Sequence, residues 1–319
     1  MALVAVACGG DDGDGASGSG SEPAADAADG DADGAAANAD EVCTEDRAGG
    51  EITMGVPSPI TGLDPIVVPA YSNVSGATNL LLMNAGIGGS TAPTTDLRVR
   101  QGIAYALDLE TINDRAEGGE GLPTSLLAHE SMAIAPGVEE LPFDPDRARE
   151  LLDDVKAETG WDGSIRLLGG DTPVAQETTI VIEALLEAVG LQVQPENLPT
   201  EVVNERVIFQ PNYDLALFSM SLFEESPMAR LNQWFTDSPR SRNGYSDPAM
   251  DEALTQVQRA VTREEKQEAM TAVQEVWNET IPSAVLFARE DFIAYKDEVK
   301  GLRFSRDSTP VFHTAYIGQ

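Results

Sequence analysis

Between Phe143 and Ser219 the chain repeats one unit so regularly that few folds can accommodate it. Phe143-Asp144-Pro145 opens a helix, with aspartate as the cap and proline at the first position, running through Ala148-Arg149-Glu150-Leu151-Leu152. Ser164–Leu168 then reads as a strand, Thr172–Val189 as a helix begun by Pro173 and stopped by Gly190, and Leu191–Gln194 as a strand. Glu201–Phe209 is helical in pattern and Tyr213–Ser219 is again a strand. Strands and helices alternating through short turns imply parallel strands joined by right-handed crossovers, hence an α/β lobe.

Upstream of that repeat, Asp96 to Asp108 (D-L-R-V-R-Q-G-I-A-Y-A-L-D) predicts an amphipathic helix. Asp96 stands at the N-cap, Val99, Ile103 and Leu107 recur every four residues, and Asp108 caps a second helix from Leu109. An apolar run, Asn79–Asn84, precedes it. Downstream, Asp247-Pro248 caps a helix and Thr262-Arg-Glu-Glu265 is a capping box opening another toward Trp277, ended at Ile281-Pro282. Ala284–Phe287 and Phe292–Tyr295 read as strands, as does Glu51–Val56, which the prolines 57 and 59 and the turn Gly62-Leu63-Asp64-Pro65 break off.

The Asn-to-Asp signature D-x-R-V-R-Q-x-I-A-Y-A-L-D, followed by E-T-I-N, resembles that of the extracytoplasmic solute-binding proteins of ABC importers, within them family 5, the peptide and nickel class. That resemblance implies a periplasmic-binding-protein type II fold, in which a ligand is held between two α/β lobes by hinge closure. From Leu80 the match runs to the C-terminus. Before it, the family has most of its first lobe and an additional small domain where this chain has only Ile66–Thr78, so a large internal block is expected to be missing, with the junction near Thr78. The implied organisation is a partial lipoprotein signal at 1–8, a disordered acidic tether at 9–48, a lobe-one remnant at 49–78, an intact α/β lobe at 79–295 and a returning lobe-one segment at 296–319. The two remnants are expected to pack poorly and to leave an apolar face on the intact lobe.

Composition bounds the partners. A net charge of −34 and a pI near 4.1 exclude nucleic acid and anionic membrane as electrostatic partners, because phosphate binding needs clustered Lys and Arg. Such acidity suits a secreted protein of a salty habitat, and equally an acidic tail joined to a mildly acidic domain. Met1–Ala7 is apolar and ends at Cys8, which resembles the end of a bacterial lipoprotein signal whose cysteine carries the lipid; the apolar stretch is too short to span a bilayer. From Gly9 to Asp40 there is no Lys, Arg, aromatic or aliphatic residue larger than Ala, so that tract cannot bury enough surface to offset its ordering entropy. With Cys8 lipidated, Cys43 has no partner in the chain.

Ligand-contacting residues are expected just after the strand ending near Phe218, since clefts in parallel sheets open at the carboxyl ends of strands. The family there resembles W-x-x-D-x-x-x-P, and in its oligopeptide binders the Asp takes the peptide ammonium. Here Pro227 fits, Met220 stands at the Trp position and Phe223 at the Asp position, with Glu224 or Glu225 as substitutes for the lost charge. Arg242-Asn243-Gly244-Tyr245-Ser246-Asp247-Pro248 resembles the family's N-x-x-Y-x-D-P approach to the cleft, offering Asn243 and Tyr245 as neutral contacts and Arg242 as a carboxylate fork. Trp234 and Phe235 fit a pocket wall or the core. No cofactor or metal is expected: His129 and His313 are far apart, no G-x-S-x-G or H-E-x-x-H occurs, and Gly86-Ile-Gly88-Gly89 marks a turn rather than a dinucleotide loop.

The resulting expectation is a monomeric, extracytoplasmic, lipid-anchored binding protein, without catalysis, that takes a peptide or similar small solute to a membrane permease complex. The competing readings are an exported α/β hydrolase and a truncated surface or sensory protein that no longer transports.

Overall fold

A computed structural model describes residues 70–305 and 309–318; the expectations for Cys8, Cys43, the acidic tract and the Glu51–Val56 strand lie outside them. The described residues divide into two compact units, one of them Asn73–Asp291, the other containing residues 70–72 and 292–318. Both divisions fall inside long strands, β1 (Ala70–Met83) and β6 (Ser283–Ala294), which are neighbours in one sheet.

In the larger unit, the sequence's caps place the helices. Asp96 accepts from the Arg98 amide at the start of α1 (Leu97–Ala106), and Asp108 from the Thr111 amide at the start of α2 (Leu109–Ala116). A two-residue strand, β2 (Leu122–Pro123), and a long irregular loop follow. Asp144 then caps α3 (Pro145–Thr159), after which come β3 (Ser164–Gly170), α4 (Pro173–Ala188), β4 (Gln192–Leu198), α5 (Thr200–Ile208) and β5 (Leu215–Ser219). The strand–helix repeat is thus realised within a residue or two of its sequence-derived ends, except that β4 runs four residues past Gln194 because its parallel pairing with β3 continues to Leu198. A single turn, α6 (Met228–Leu231), leads to α7 (Pro248–Arg259), capped by Asp247, and to α8 (Arg263–Thr280), opened by the Thr262–Glu265 capping box.

The six strands lie in the order β2-β6-β1-β5-β3-β4. β3 is parallel to β4 over Ser164–Gly170 and to β5 at Leu167 and Leu168, as crossover helices require. β1 runs antiparallel to β5, from Asn79 opposite Ser219 to Met83 opposite Leu215. Alternate residues of β1 serve opposite faces: Leu80 and Leu82 join a core with α5, α7 and α8, while Leu81 and Met83 join a core with α1 to α4. Three layers result, helices on both faces of a mixed sheet.

Two strands differ from the expectation. Ala284–Phe287 and residues 292–294 belong to one continuous strand, β6, which ends one residue before Tyr295. Arg289, Glu290 and Asp291 interrupt the apolar pattern in sequence, yet Arg289 and Asp291 satisfy each other in a 2.8 Å ion pair and the Arg289 carbonyl accepts from the Ser75 hydroxyl. Similarly, β1 begins nine residues before Asn79, because Gly76 pairs with Leu222 in the register already set by β5. Pairing overrides the weak strand propensity of Ser75-Gly76-Ala77. Gly76 has a further reason to be glycine: a Cβ there would stand 2.2 Å from the Leu127 carbonyl oxygen of the loop crossing it.

The smaller unit contributes two antiparallel pairs among the described residues, β7 (Val299–Lys300) with β10 (Tyr316–Ile317) and β8 (Arg303–Phe304) with β9 (Pro310–Val311). Val299, Ala315 and Tyr316 are buried, and the Tyr295 and Phe304 rings meet at 5.9 Å.

Candidate ligand-binding site

At the carboxyl ends of β3 and β5, between the first turns of α4 and α5, the larger unit holds a cavity of about 440 Å³. Its floor is Asn79, Leu80, Leu217, Phe218 and Ser219, with Leu286 of β6 behind. Gly170, Thr172, Val174, Ala175 and Thr178 line one side, and Thr200, Val203 and Asn204 the other. Local sequence builds this shape. Gly170 lets α4 start close against the sheet, since a Cβ there would lie 3.0 Å from the Ala175 Cβ. The Thr172 hydroxyl caps α4 by accepting from the Ala175 amide, and the Thr178 hydroxyl is turned back to the Val174 carbonyl at 2.8 Å. The lining combines apolar side chains with neutral amides and hydroxyls, and no ionisable side chain lines it.

A more open depression of about 540 Å³ lies along the loop Asn232–Arg240 with Asp251. Its volume is larger, but it is away from the strand ends, and Asp251 is engaged there by the Thr236 amide at 2.8 Å. The strand-end cavity therefore carries the functional argument.

Of the residues singled out in the sequence, Phe218 lines this cavity, half-buried. Met220 is buried in the α5, α7 and α8 core, with the Gln233 amide 3.1 Å from its sulfur. Phe223 is half-buried nearby in sequence, and a Glu224 oxygen accepts from the Ala133 amide at 2.7 Å. Around the second motif the polar atoms are used internally. The Arg242 carbonyl accepts from the Tyr213 hydroxyl, and Asn243 is fully buried, donating to the Pro282 carbonyl at 2.7 Å while its own carbonyl accepts from Ala85 and Ile87. The Tyr245 hydroxyl pairs with the Thr280 hydroxyl at 2.7 Å, and burial pushes its ionisation up to about 12. Met220 and Tyr245 share the same core, so they lie on one face of the sheet. Trp234 belongs to that core too, edge-on to Trp277 at 4.8 Å and to Tyr245 at 6.5 Å, while Phe235 lines the open depression.

Sequence reasoning missed the α4 and α5 contributions, Thr172, Val174, Thr178, Thr200 and Asn204. The signal was present in Gly169-Gly170-Asp171-Thr172-Pro173, a strand end running directly into a capped helix at the same edge as Phe218. Among the described residues no cluster of three or more His, Cys, Asp or Glu could hold a metal ion, and no helix is long and apolar enough to cross a membrane.

Comparison with known proteins bears on the family and the fold. Residues 28–242 match the model of the bacterial extracellular solute-binding proteins, family 5, middle region. A putative ABC transporter peptide-binding protein of Brucella ovis is 29% identical over 121 residues, 36% of this chain and 22% of that protein. The probable D,D-dipeptide-binding periplasmic protein DdpA of Escherichia coli is 21% identical over 281 residues, 83% of this chain and 52% of that protein. Among solved structures, peptide-bound OppA of Listeria monocytogenes superposes with a TM-score of 0.64 at 20% identity, covering 78% of this chain and 50% of that one. The fold is thus that of the type II periplasmic binding proteins, and the chain spans about half the length of DdpA and OppA and less of the Brucella protein.

Proposed function

The chain belongs to the bacterial extracellular solute-binding proteins of family 5, and from that we propose that it captures a peptide or similar small organic solute outside the cytoplasm and delivers it to an ABC permease, anchored through a lipid on Cys8. The observation that carries the reading is the 440 Å³ cavity at the carboxyl ends of β3 and β5, a volume within the range of small-molecule sites. Its lining offers contact surface and neutral hydrogen bonds but no nucleophile–base pair, which favours binding over hydrolysis. Phe218 is the expected residue best placed to touch ligand; Leu217, Ser219, Thr172 and Val174 complete the contact surface.

Native mass spectrometry of the purified chain against a mixed pool of short peptides and small organic solutes tests this. One or more unmodified ligands retained at unit stoichiometry is the expected result. Cleaved products, or retention of nothing, would overturn it. Lipid attachment is tested separately by palmitate labelling in a bacterial host, expected for the wild type and absent from Cys8→Ser.

A further inference from the structure

We infer that the strand-end cavity takes an uncharged organic group and discriminates against both ammonium and carboxylate at that position. This deepens the solute-binding reading and rests on it. In a chain with 54 acidic and 20 basic side chains, every residue lining the cavity is neutral. Leu80, Val174, Ala175, Val203, Leu217 and Phe218 contribute apolar surface, and the polar side chains among the lining residues are neutral amides and hydroxyls. A charge entering such a site sheds water without gaining a counter-charge, which costs several kcal/mol, whereas an amide or hydroxyl finds Asn79, Asn204, Thr172, Thr200 or Ser219 as a partner.

A carboxylate that the sequence offers for an ammonium, Glu224, does not line the cavity; one of its oxygens accepts from the Ala133 amide at 2.7 Å. Carboxylate is the stronger rival, because the first turns of α4 and α5 bring partial positive charge to the rim. That charge is already reduced. Thr172 caps α4, and α5 carries Glu201 in its own first turn.

The test uses three probes of one shape, benzamide, benzoate and benzylammonium, titrated into the full chain at millimolar concentration, with the amide resonances of Thr178, Leu217 and Ser219 as the readout. Benzamide is expected to shift these resonances and to bind about tenfold or more tightly than either charged probe. Val174→Asp places a carboxylate at a half-exposed position in the first turn of α4, where aspartate suits the helix, and is expected to raise benzylammonium affinity at least fivefold. Asn204→Asp on the exposed side of α5 makes the same test should the first variant misfold. Equal or tighter binding of a charged probe by the wild type, or an order of affinities unmoved by either variant, overturns the inference. Should the mixed solute pool yield ligands while benzamide leaves the cavity resonances unmoved, the inference alone fails; if the pool yields none, the solute-binding reading fails with it.

Discussion

The guanidinium of Arg100 lies 2.9 Å from the carbonyl oxygen of Ile281, so a buried cation on α1 closes the C-terminus of α8 across 181 residues of chain. The same group donates to Thr280 at 3.0 Å and to Thr94 at 2.9 Å, and the neighbouring Gln101 amide donates to Glu279 at 2.9 Å. The last carbonyls of a helix have no partners within it, and a cation there also meets the negative end of the helix dipole. Asp96 adds to the arrangement by capping α1 and pairing with Arg98 at 2.8 Å. The D-x-R-V-R-Q signature is thereby explained as a clamp that fixes α1 against the C-terminus of α8, just before β6 begins.

Replacing Arg100 by Met keeps much of the packing volume and removes these donors. Urea unfolding is expected to show a loss of about 2–4 kcal/mol, because several buried carbonyls lose a charged partner at once. Arg100→Lys, with one compact ammonium in place of the fork, should recover only part of it.

Gly76→Ala should destabilise by at least about 2 kcal/mol, since the new Cβ meets backbone that cannot rotate away, the Leu127 carbonyl at 2.2 Å. Urea unfolding measures the loss, and cleavage within the loop 124–140 by limited proteolysis should become faster.

Half-burial without a counter-charge raises the Glu117 carboxyl above its ordinary value of 4.5. A raised carboxyl favours the fold while protonated, so its contribution is fully present below about 4.5 and is lost as pH rises through the folded value. Glu117→Gln should therefore melt higher than the wild type at pH 7 and converge with it near pH 4. Asp96 runs the other way: the Arg98 hydrogen bond lowers it, so its contribution is present above 3.8 and fades as pH falls. Asp96→Ala should cost about 1 kcal/mol at pH 7, less in acid.

Phe218 and Tyr245 should separate cleanly. Phe218→Ala is expected to weaken ligand binding about tenfold at near-constant stability, as the side chain lines the cavity. Tyr245→Phe loses its 2.7 Å bond to Thr280 and should cost about 1 kcal/mol of stability with affinity unchanged. Calorimetric titration alongside thermal melts distinguishes the two.

With a net charge of −34, self-repulsion opposes the compact state and salt screens it. The melting temperature should rise steadily with KCl, most steeply at low ionic strength.

Legibility followed local chemistry. Asp96, Asp108, Asp144, Asp247 and the Thr262–Glu265 box each announced a helix start through a hydrogen bond made within three residues, and the parallel pairing of β3 with β4 and β5 followed from the strand–helix alternation. The full length of β1 and the continuity of β6 were hidden because Ser75–Ala77 and Arg289–Asp291 owe their strand conformation to neighbouring strands distant in the chain. At the site, Phe218 was legible as the end of a strand, whereas Thr172, Val174 and Asn204 reach the cavity only because α4 and α5 begin at the same sheet edge. Asn243 and Tyr245 stood out by motif, and their visible work is to hold Pro282 and Thr280.

Hydrogen exchange of the full chain with and without a ligand recovered from the solute pool tests the central claim most directly. Slowed exchange confined to residues 172–178, 200–204 and 217–219 is the predicted result. Protection that leaves these segments unchanged and falls along 232–240 instead would contradict the assignment of the ligand site.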